Sequence, residues 1–442
     1  MEKYSYRRIW SIAYPILISV LMEQLIGLTD TAFMGRVGEV ELGASAIAGV
    51  YYLVIFMIAL GFSIGAQILM ARRNGEGNYR SIGNVFYQGI FFLVGLAALL
   101  FALSQTFSND VMDLMISSPN VCEKAEDYIK WRVYGFFFSF AALMFRAFFV
   151  GTTQTRTLTL NSIVMVISNV AFNYVLVFGK LGFPALGIAG AAIGSSLAEL
   201  VSLLFFIIYT RTRIDCSRYG LNRIPRVNWR ELRHILGISL WMMIQNFLSL
   251  ATWFIFFVYI EHLGERALAI TNVVRSISGF LFMILVAFSS TCSTIVSNLI
   301  GEGEQQHVPE IIRRHLRIAY ATILPFAAIA AIFPHIFISI YTDIPDIQQS
   351  AVGALRMMCC SYIALIPANV YFQSVSGTGN TRKAFTIELQ ALVVYMIYIT
   401  VTILVMRIDV SWAWSSEIVY GASLFLLCYR YIRSNRWQDN RI

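Results

Sequence analysis

The sequence predicts an all-α polytopic membrane protein, with twelve transmembrane helices in two six-helix lobes related by a pseudo-twofold axis. Three observations carry this expectation. The 442 residues are 58% hydrophobic and only 13% charged, whereas about a quarter of a soluble domain is charged. Apolar segments long enough to cross ~30 Å of hydrocarbon recur twelve times. The second half also repeats the first at an offset of 226 residues, the spacing from Gly38 to Gly264.

The twelve segments run over approximately 9–34, 42–71, 82–106, 127–150, 157–178, 187–210, 234–260, 268–299, 314–341, 352–376, 384–406 and 410–432. They must be helices, because an open strand would leave backbone groups unpaired in lipid. The first is followed by no small-residue cleavage site and reads as a retained span rather than a signal peptide. The repeat aligns without gaps. Phe56-Met57-Ile58 recurs as Phe282-Met283-Ile284, and Gly75-Glu76-Gly77 as Gly301-Glu302-Gly303. Gly151-Thr152 and Thr155-Arg156 recur as Gly377-Thr378 and Thr381-Arg382. The expected organisation is an N-terminal lobe of 1–210, a basic linker of 211–233 and a C-terminal lobe of 234–442. An even number of helices per half brings both halves in from one side. Duplicated membrane halves point to a secondary transporter whose lobes rock about a site between them.

The net charge is +8, and its distribution is informative. With the N-terminus inside, the cytoplasmic segments hold 23 of the 33 Lys and Arg residues. The outer loops and their edges hold Arg36, Lys124, Lys130, Arg132, Lys180, Arg266 and Arg407, together with the acids Asp110, Asp113, Asp343 and Asp346. This bias places both termini in the cytoplasm. The arginine-rich linker suits anionic lipid headgroups, and no nucleic acid partner is expected.

An ionisable group inside a span is costly and marks function by default. Glu23, Asp30, Glu199, Arg275 and Glu388 lie deep in spans, whereas Arg146 and Arg356 lie near span ends and can snorkel. Asp30 follows Glu23 by seven residues, so both sit on one face of span one, about 10 Å apart along the axis. Their repeat-equivalents are Phe256 and Ser249. The second half lacks both charges, which favours a cation site in the first half. Asn169 and Asn173 are one turn apart on span five, and Ser195 and Glu199 one turn apart on span six. Amide oxygens suit a hard cation or a protonating carboxylate; interhelical hydrogen bonding explains the same residues without a ligand. The run from Gly187 to Gly194 reads as close helix packing. No ATP-binding motif and no catalytic constellation is present, and neither the cysteines nor the histidines show metal-site spacing. The chain therefore reads as no enzyme and needs no cofactor beyond H⁺ or Na⁺ as coupling ion. A carboxylate with amide neighbours suits either ion, with Na⁺ at Asp30, Asn169 and Asn173. Tyr52, Phe56, Gln245, Arg275, Phe282 and Asn369 are the candidate lining of a substrate cavity, since soft aromatic walls suit large cations. The aromatic members equally suit lipid contact or packing.

Several motifs carry a resemblance. Thr29-Asp30-Thr31 with Met34-Gly35-Arg36-Val37-Gly38 is similar to the first-span signature of the multidrug and toxic compound extrusion (MATE) family. Asn169 to Tyr174 running into Gly182 to Ala192, and the turn Gly377 to Arg382, resemble it as well. The resemblance covers essentially the whole chain. It implies an antiporter of the prokaryotic cytoplasmic membrane, acting as a monomer among membrane lipids, that expels cationic or amphipathic small molecules in exchange for H⁺ or Na⁺. It puts the coupling carboxylate at Asp30, polar partners at Asn169 and Asn173, and a hydroxyl at Ser195. One branch has an acid where this chain has Asn173, and Glu23 is positioned to restore that charge. Another branch uses acids in spans seven and ten; neither span has an internal acid here, which favours coupling in the first lobe, as in the DinF-like branch. The alternative from the same wider superfamily is a flippase for lipid-linked saccharides or peptidoglycan precursors.

Overall fold

The computed structural model describes residues 4–116, 118–342 and 344–438; Asp343, assigned above to an outer loop, lies outside them. All regular structure among the described residues is helical. The first repeat gives α1 (Tyr6–Val37), α2 (Glu39–Gly75), α3 (Tyr79–Met115), α4 (Pro119–Arg132), α5 (Gly135–Gly151), α6 (Arg156–Phe178) and α7 (Gly187–Arg213). The second gives α8 (Trp229–Glu261), α9 (Glu265–Gly301), α10 (Val308–Ile332), α11 (Pro334–Ile338), α12 (Pro345–Gly377), α13 (Thr381–Ile399), α14 (Val410–Ala413) and α15 (Ser416–Arg433). The sequence repeat becomes a repeat of turns. Gly77 after α2 and Gly303 after α9 adopt φ of +72° and +77°, a left-handed conformation that glycine enters at no steric cost.

Among the described residues, ten helices are long and apolar enough to cross a membrane, and eleven when α4 and α5 count as one bent span. The shorter α15 completes the twelve. Three spans differ from the sequence expectation. The fourth begins at Pro119 and bends by 51° between α4 and α5. The ninth stops at Ile332 before Pro334, and the twelfth breaks between α14 and α15. Around Pro334 the sequence stays apolar, so composition does not mark that break; α4, by contrast, is itself polar and charged, and the apolar stretch begins only with α5.

Two compact units result: Ile18–Met243, and Ile244–Ile442 together with Met1–Leu17. The division falls within α1 and within α8. The first unit buries Phe62, Phe136, Phe140, Phe148 and Phe149; the second buries Phe256, Phe288, Tyr362 and Trp414.

Candidate functional site

Small residues on α7 set the geometry. A Cβ at Gly190 would meet the Leu176 carbonyl, and one at Gly194 would collide with the side-chain oxygen of Asn173. Glycine at both positions lets α6 and α7 approach closely. That approach brings Asn169 and Asn173, both fully buried, against Ser195.

Asp30 of α1 completes the group. Its Oδ1 accepts from Asn173 Nδ2 at 2.5 Å, and its Oδ2 accepts from Ser195 Oγ at 3.3 Å. Asn173 Nδ2 also reaches Asn169 Oδ1 at 3.3 Å, while Asn169 Nδ2 donates to Ser195 Oγ at 3.2 Å. Asn173 Oδ1 is buried and without a partner. Unpaired buried polar atoms are uncommon and call for a physical reason. No Lys or Arg is ion-paired with Asp30 among the described residues.

Glu199, one turn beyond Ser195 on α7, is held differently. Arg132 at the end of α4 grips it with two hydrogen bonds, Nη2 to Oε1 at 2.6 Å and Nη1 to Oε2 at 2.9 Å. Tyr52 of α2 donates to Oε1 at 2.9 Å and lies 2.9 Å from Ser139 Oγ. The guanidinium stands 3.6 Å over the Tyr52 ring, which stacks on Phe136 at 5.0 Å and on Phe56 at 6.3 Å. The bend after α4 makes this possible: a Cβ at Gly135 would collide with both Arg132 and Glu199. A bidentate, nearly buried pair of this kind is among the stronger polar interactions.

Glu23 is ion-paired with Arg146 of α5 at 2.6 Å and accepts from Ser19 at 3.5 Å. No hydrogen bond joins it to Asp30 among the described residues. Arg275 of α9 lies 5.9 Å from the Trp253 ring and 5.7 Å from the Phe257 ring. Gln245 is buried with its side-chain oxygen unpartnered. Phe282 is exposed, and Asn369 donates to the Leu365 carbonyl of its own helix. A cavity of about 330 Å³ between α3 and α4, lined by Ser104, Ser108, Glu126 and Lys130, contains none of these residues.

Sequence reasoning missed Arg132 and underrated Arg146. Arg132 sits close to an outer loop in the sequence and reads there as an outer-edge charge; its partner is 67 residues away. Only the fold reveals that it turns inward.

The comparisons with known proteins bear on this arrangement. The MatE family model matches residues 15–175 and 238–402, most of the chain. The chain belongs to the MatE family. Among its relatives, a probable multidrug resistance protein NorM of Thermotoga maritima is 23% identical over 98% of this chain and 93% of its own length. Another of the same name, from Synechocystis sp., is 28% identical over 77% of this chain and 74% of its own. An outward-facing multidrug resistance MATE family transporter of the MOP superfamily superposes with a TM-score of 0.89 at 16% identity, covering 98% of this chain and 96% of that one. A Vibrio cholerae MATE transporter superposes with a TM-score of 0.88 at 17% identity, covering 98% of each chain. At such identities the likeness establishes the MatE fold, twelve membrane helices in two lobes.

Proposed function

We propose that this MatE-family protein is a secondary active antiporter. It exports cationic or amphipathic small molecules in exchange for H⁺ or Na⁺, by alternating access. The observation that carries this reading is Asp30, a carboxylate inside a span with neutral amide and hydroxyl partners and, among the described residues, no ion-paired base.

The hydrogen bonds indicate how such a site loads. Protonation turns one carboxylate oxygen from acceptor to donor. Asn173 Nδ2 can only donate, so Oδ1 must remain an acceptor. Ser195 Oγ can rotate and accept, so the proton goes to Oδ2. Na⁺ would instead draw on Asp30, Asn169 and Asn173, the last through its unpartnered Oδ1. Either ion removes the charge of Asp30 and loosens α1 from α6 and α7. Glu199 neutralises Arg132 nearby, so that this arginine does not compete for Asp30. Glu23 contributes a second charge on the same helix, tempered by Arg146. Tyr52, Phe56, Gln245, Arg275, Phe282 and Asn369 line the substrate path.

The lobes span 1–210 and 234–442, joined by the basic linker 211–233, with both termini in the cytoplasm. The setting is the prokaryotic cytoplasmic membrane, the working unit is a monomer among its lipids, and the lack of an internal acid in spans seven (234–260) and ten (352–376) supports the DinF-like branch. The flippase alternative needs cationic groups for a pyrophosphate. Arg132 is already neutralised by Glu199, and Arg275 alone is a weak substitute. The test is uptake of a fluorescent organic cation into vesicles under an imposed pH or Na⁺ gradient. Uptake driven by one gradient is expected. Translocation of a labelled lipid-linked pyrophosphate with no gradient-driven cation uptake would favour the flippase.

A further inference from the structure

The two lobes carry one polar group with its chemistry exchanged. In the first lobe the carboxylate is on α1 and the hydroxyl on α6: Ser19 joins Ser162 at 2.8 Å and donates to Glu23, which is ion-paired with Arg146. At the repeat offset, Glu23 becomes Ser249, Ser162 becomes Glu388, Ser19 becomes Gln245 and Arg146 becomes Phe372. The second lobe therefore puts the hydroxyl on α8 and the carboxylate on α13. The two still meet, with Ser249 Oγ donating to Glu388 Oε1 at 3.0 Å. The cation is what has gone. Phe372 is buried, and no Lys or Arg is ion-paired with Glu388 among the described residues.

Glu388 is enclosed, with 2% of its surface exposed. Oε1 accepts from Ser249 and, at 2.7 Å, from Tyr420 of α15. Oε2 is buried and has no partner. The titratable groups facing it are the Tyr420 hydroxyl and the Cys428 thiol, both from α15. Glu417, one turn before Tyr420, is bonded to Tyr395. From α8 comes Ser249. From α12 no charged side chain arrives: Arg356 donates to the Ala331 carbonyl and Asp346 pairs with Arg266, while Tyr371 packs against Phe425 and Tyr429. A lone buried carboxylate anion with one bare oxygen is strongly disfavoured.

We infer that Glu388 is a proton-binding site of the second lobe, filled by H⁺ where the first lobe carries the Arg146 guanidinium. A proton needs one oxygen, and Oε2 offers it. A metal ion needs several, and both neighbouring hydroxyls already direct their hydrogens to Oε1. Because Glu388, Ser249 and Tyr420 come from three helices, its protonation changes how firmly α8, α13 and α15 are tied. That gives the second lobe a pH-sensitive element in the transport cycle; this role rests on the antiport reading, whereas proton binding itself does not.

The test is infrared difference spectroscopy of the reconstituted full chain, wild type minus Glu388→Gln, across a pH series and with no substrate. A carboxylic C=O band is expected that converts to a carboxylate band as pH rises, ignores Na⁺ and persists in an Asp30→Asn background. Tyr420→Phe, which keeps the carboxyl, should keep the band and shift its pH midpoint. A carboxylate band at every pH, a band that follows Na⁺ rather than pH, or an unmoved midpoint in Tyr420→Phe would overturn the assignment. In vesicles, Glu388→Gln should alter the pH profile of efflux; a profile superimposable on wild type would remove the transport role while leaving the antiport reading intact.

Discussion

Asp30, Asn169, Asn173 and Ser195 of the first lobe occupy the repeat positions that Phe256, Tyr395, Ile399 and Gly421 occupy in the second. In the first lobe these positions hold a hydrogen-bonded carboxylate. In the second, Phe256 is fully buried, 5.7 Å from the Trp414 ring and 6.4 Å from the Tyr395 ring. One helical frame thus supports a polar site and an aromatic cluster. Burying charge opposes folding while burying an aromatic ring favours it, so a carboxylate is kept only where something else requires it. Duplication supplied the frame, and a few side chains decide whether it carries a buried carboxylate or an aromatic cluster.

The comparison can be broken most severely by making the lobes alike. Phe256→Asp removes a buried ring and inserts a charge into an aromatic cluster, and an uncompensated buried charge costs about 3–5 kcal/mol. The expected result is loss of folded protein, measured by thermal unfolding in detergent. A stable Phe256→Asp protein would mean that the second frame tolerates the polar chemistry of the first. Glu199→Gln leaves Arg132 nearly buried and without its ion pair, with a smaller expected loss, up to about 3 kcal/mol, and a correspondingly lower melting temperature. Adding a conservative Arg132→Met should recover part of it, because the stranded charge is gone. Gly194→Ala presses a methyl group against Asn173. Overpacking of this kind costs about 1–3 kcal/mol, and here it should weaken cation-coupled transport more than it lowers stability. Glu23→Gln should do least. Its pair with Arg146 is partly exposed, so the stability change should stay under about 1 kcal/mol, with transport reduced but not lost. Transport as low as in an Asp30 variant would make Glu23 an equal partner in coupling.

Much of this was legible before any fold was known. The repeat and the twelve spans follow from the sequence itself, and Asp30 stands out through the cost of a charge in lipid; that Asn169, Asn173 and Ser195 are its partners is what the MATE resemblance implies. The bend between α4 and α5 was not legible, because it falls where polar α4 gives way to apolar α5, a change that hydropathy reads only as the start of a span. Arg132 was misjudged for the same reason: its sequence neighbours are polar and near a loop, and only the bend turns it toward Glu199. Arg146 seemed free to snorkel, since nothing in its own span shows that Glu23 of α1 lies within reach. Glu388 was recognisable as a deep acid. Its exchange with Ser162 across the repeat became meaningful only once Ser19, Glu23, Ser162 and Arg146 were seen to meet.

Of the repeat-related pair Asp30 and Phe256, only Asp30 is proposed to couple ion movement to export. The direct measurement is gradient-driven uptake of a fluorescent organic cation into inverted vesicles, compared between wild type and Asp30→Asn at matched expression. Asp30→Asn is expected to insert and fold like wild type, yet to show no uptake above the gradient-free background. Near-normal gradient-driven uptake by Asp30→Asn would contradict it.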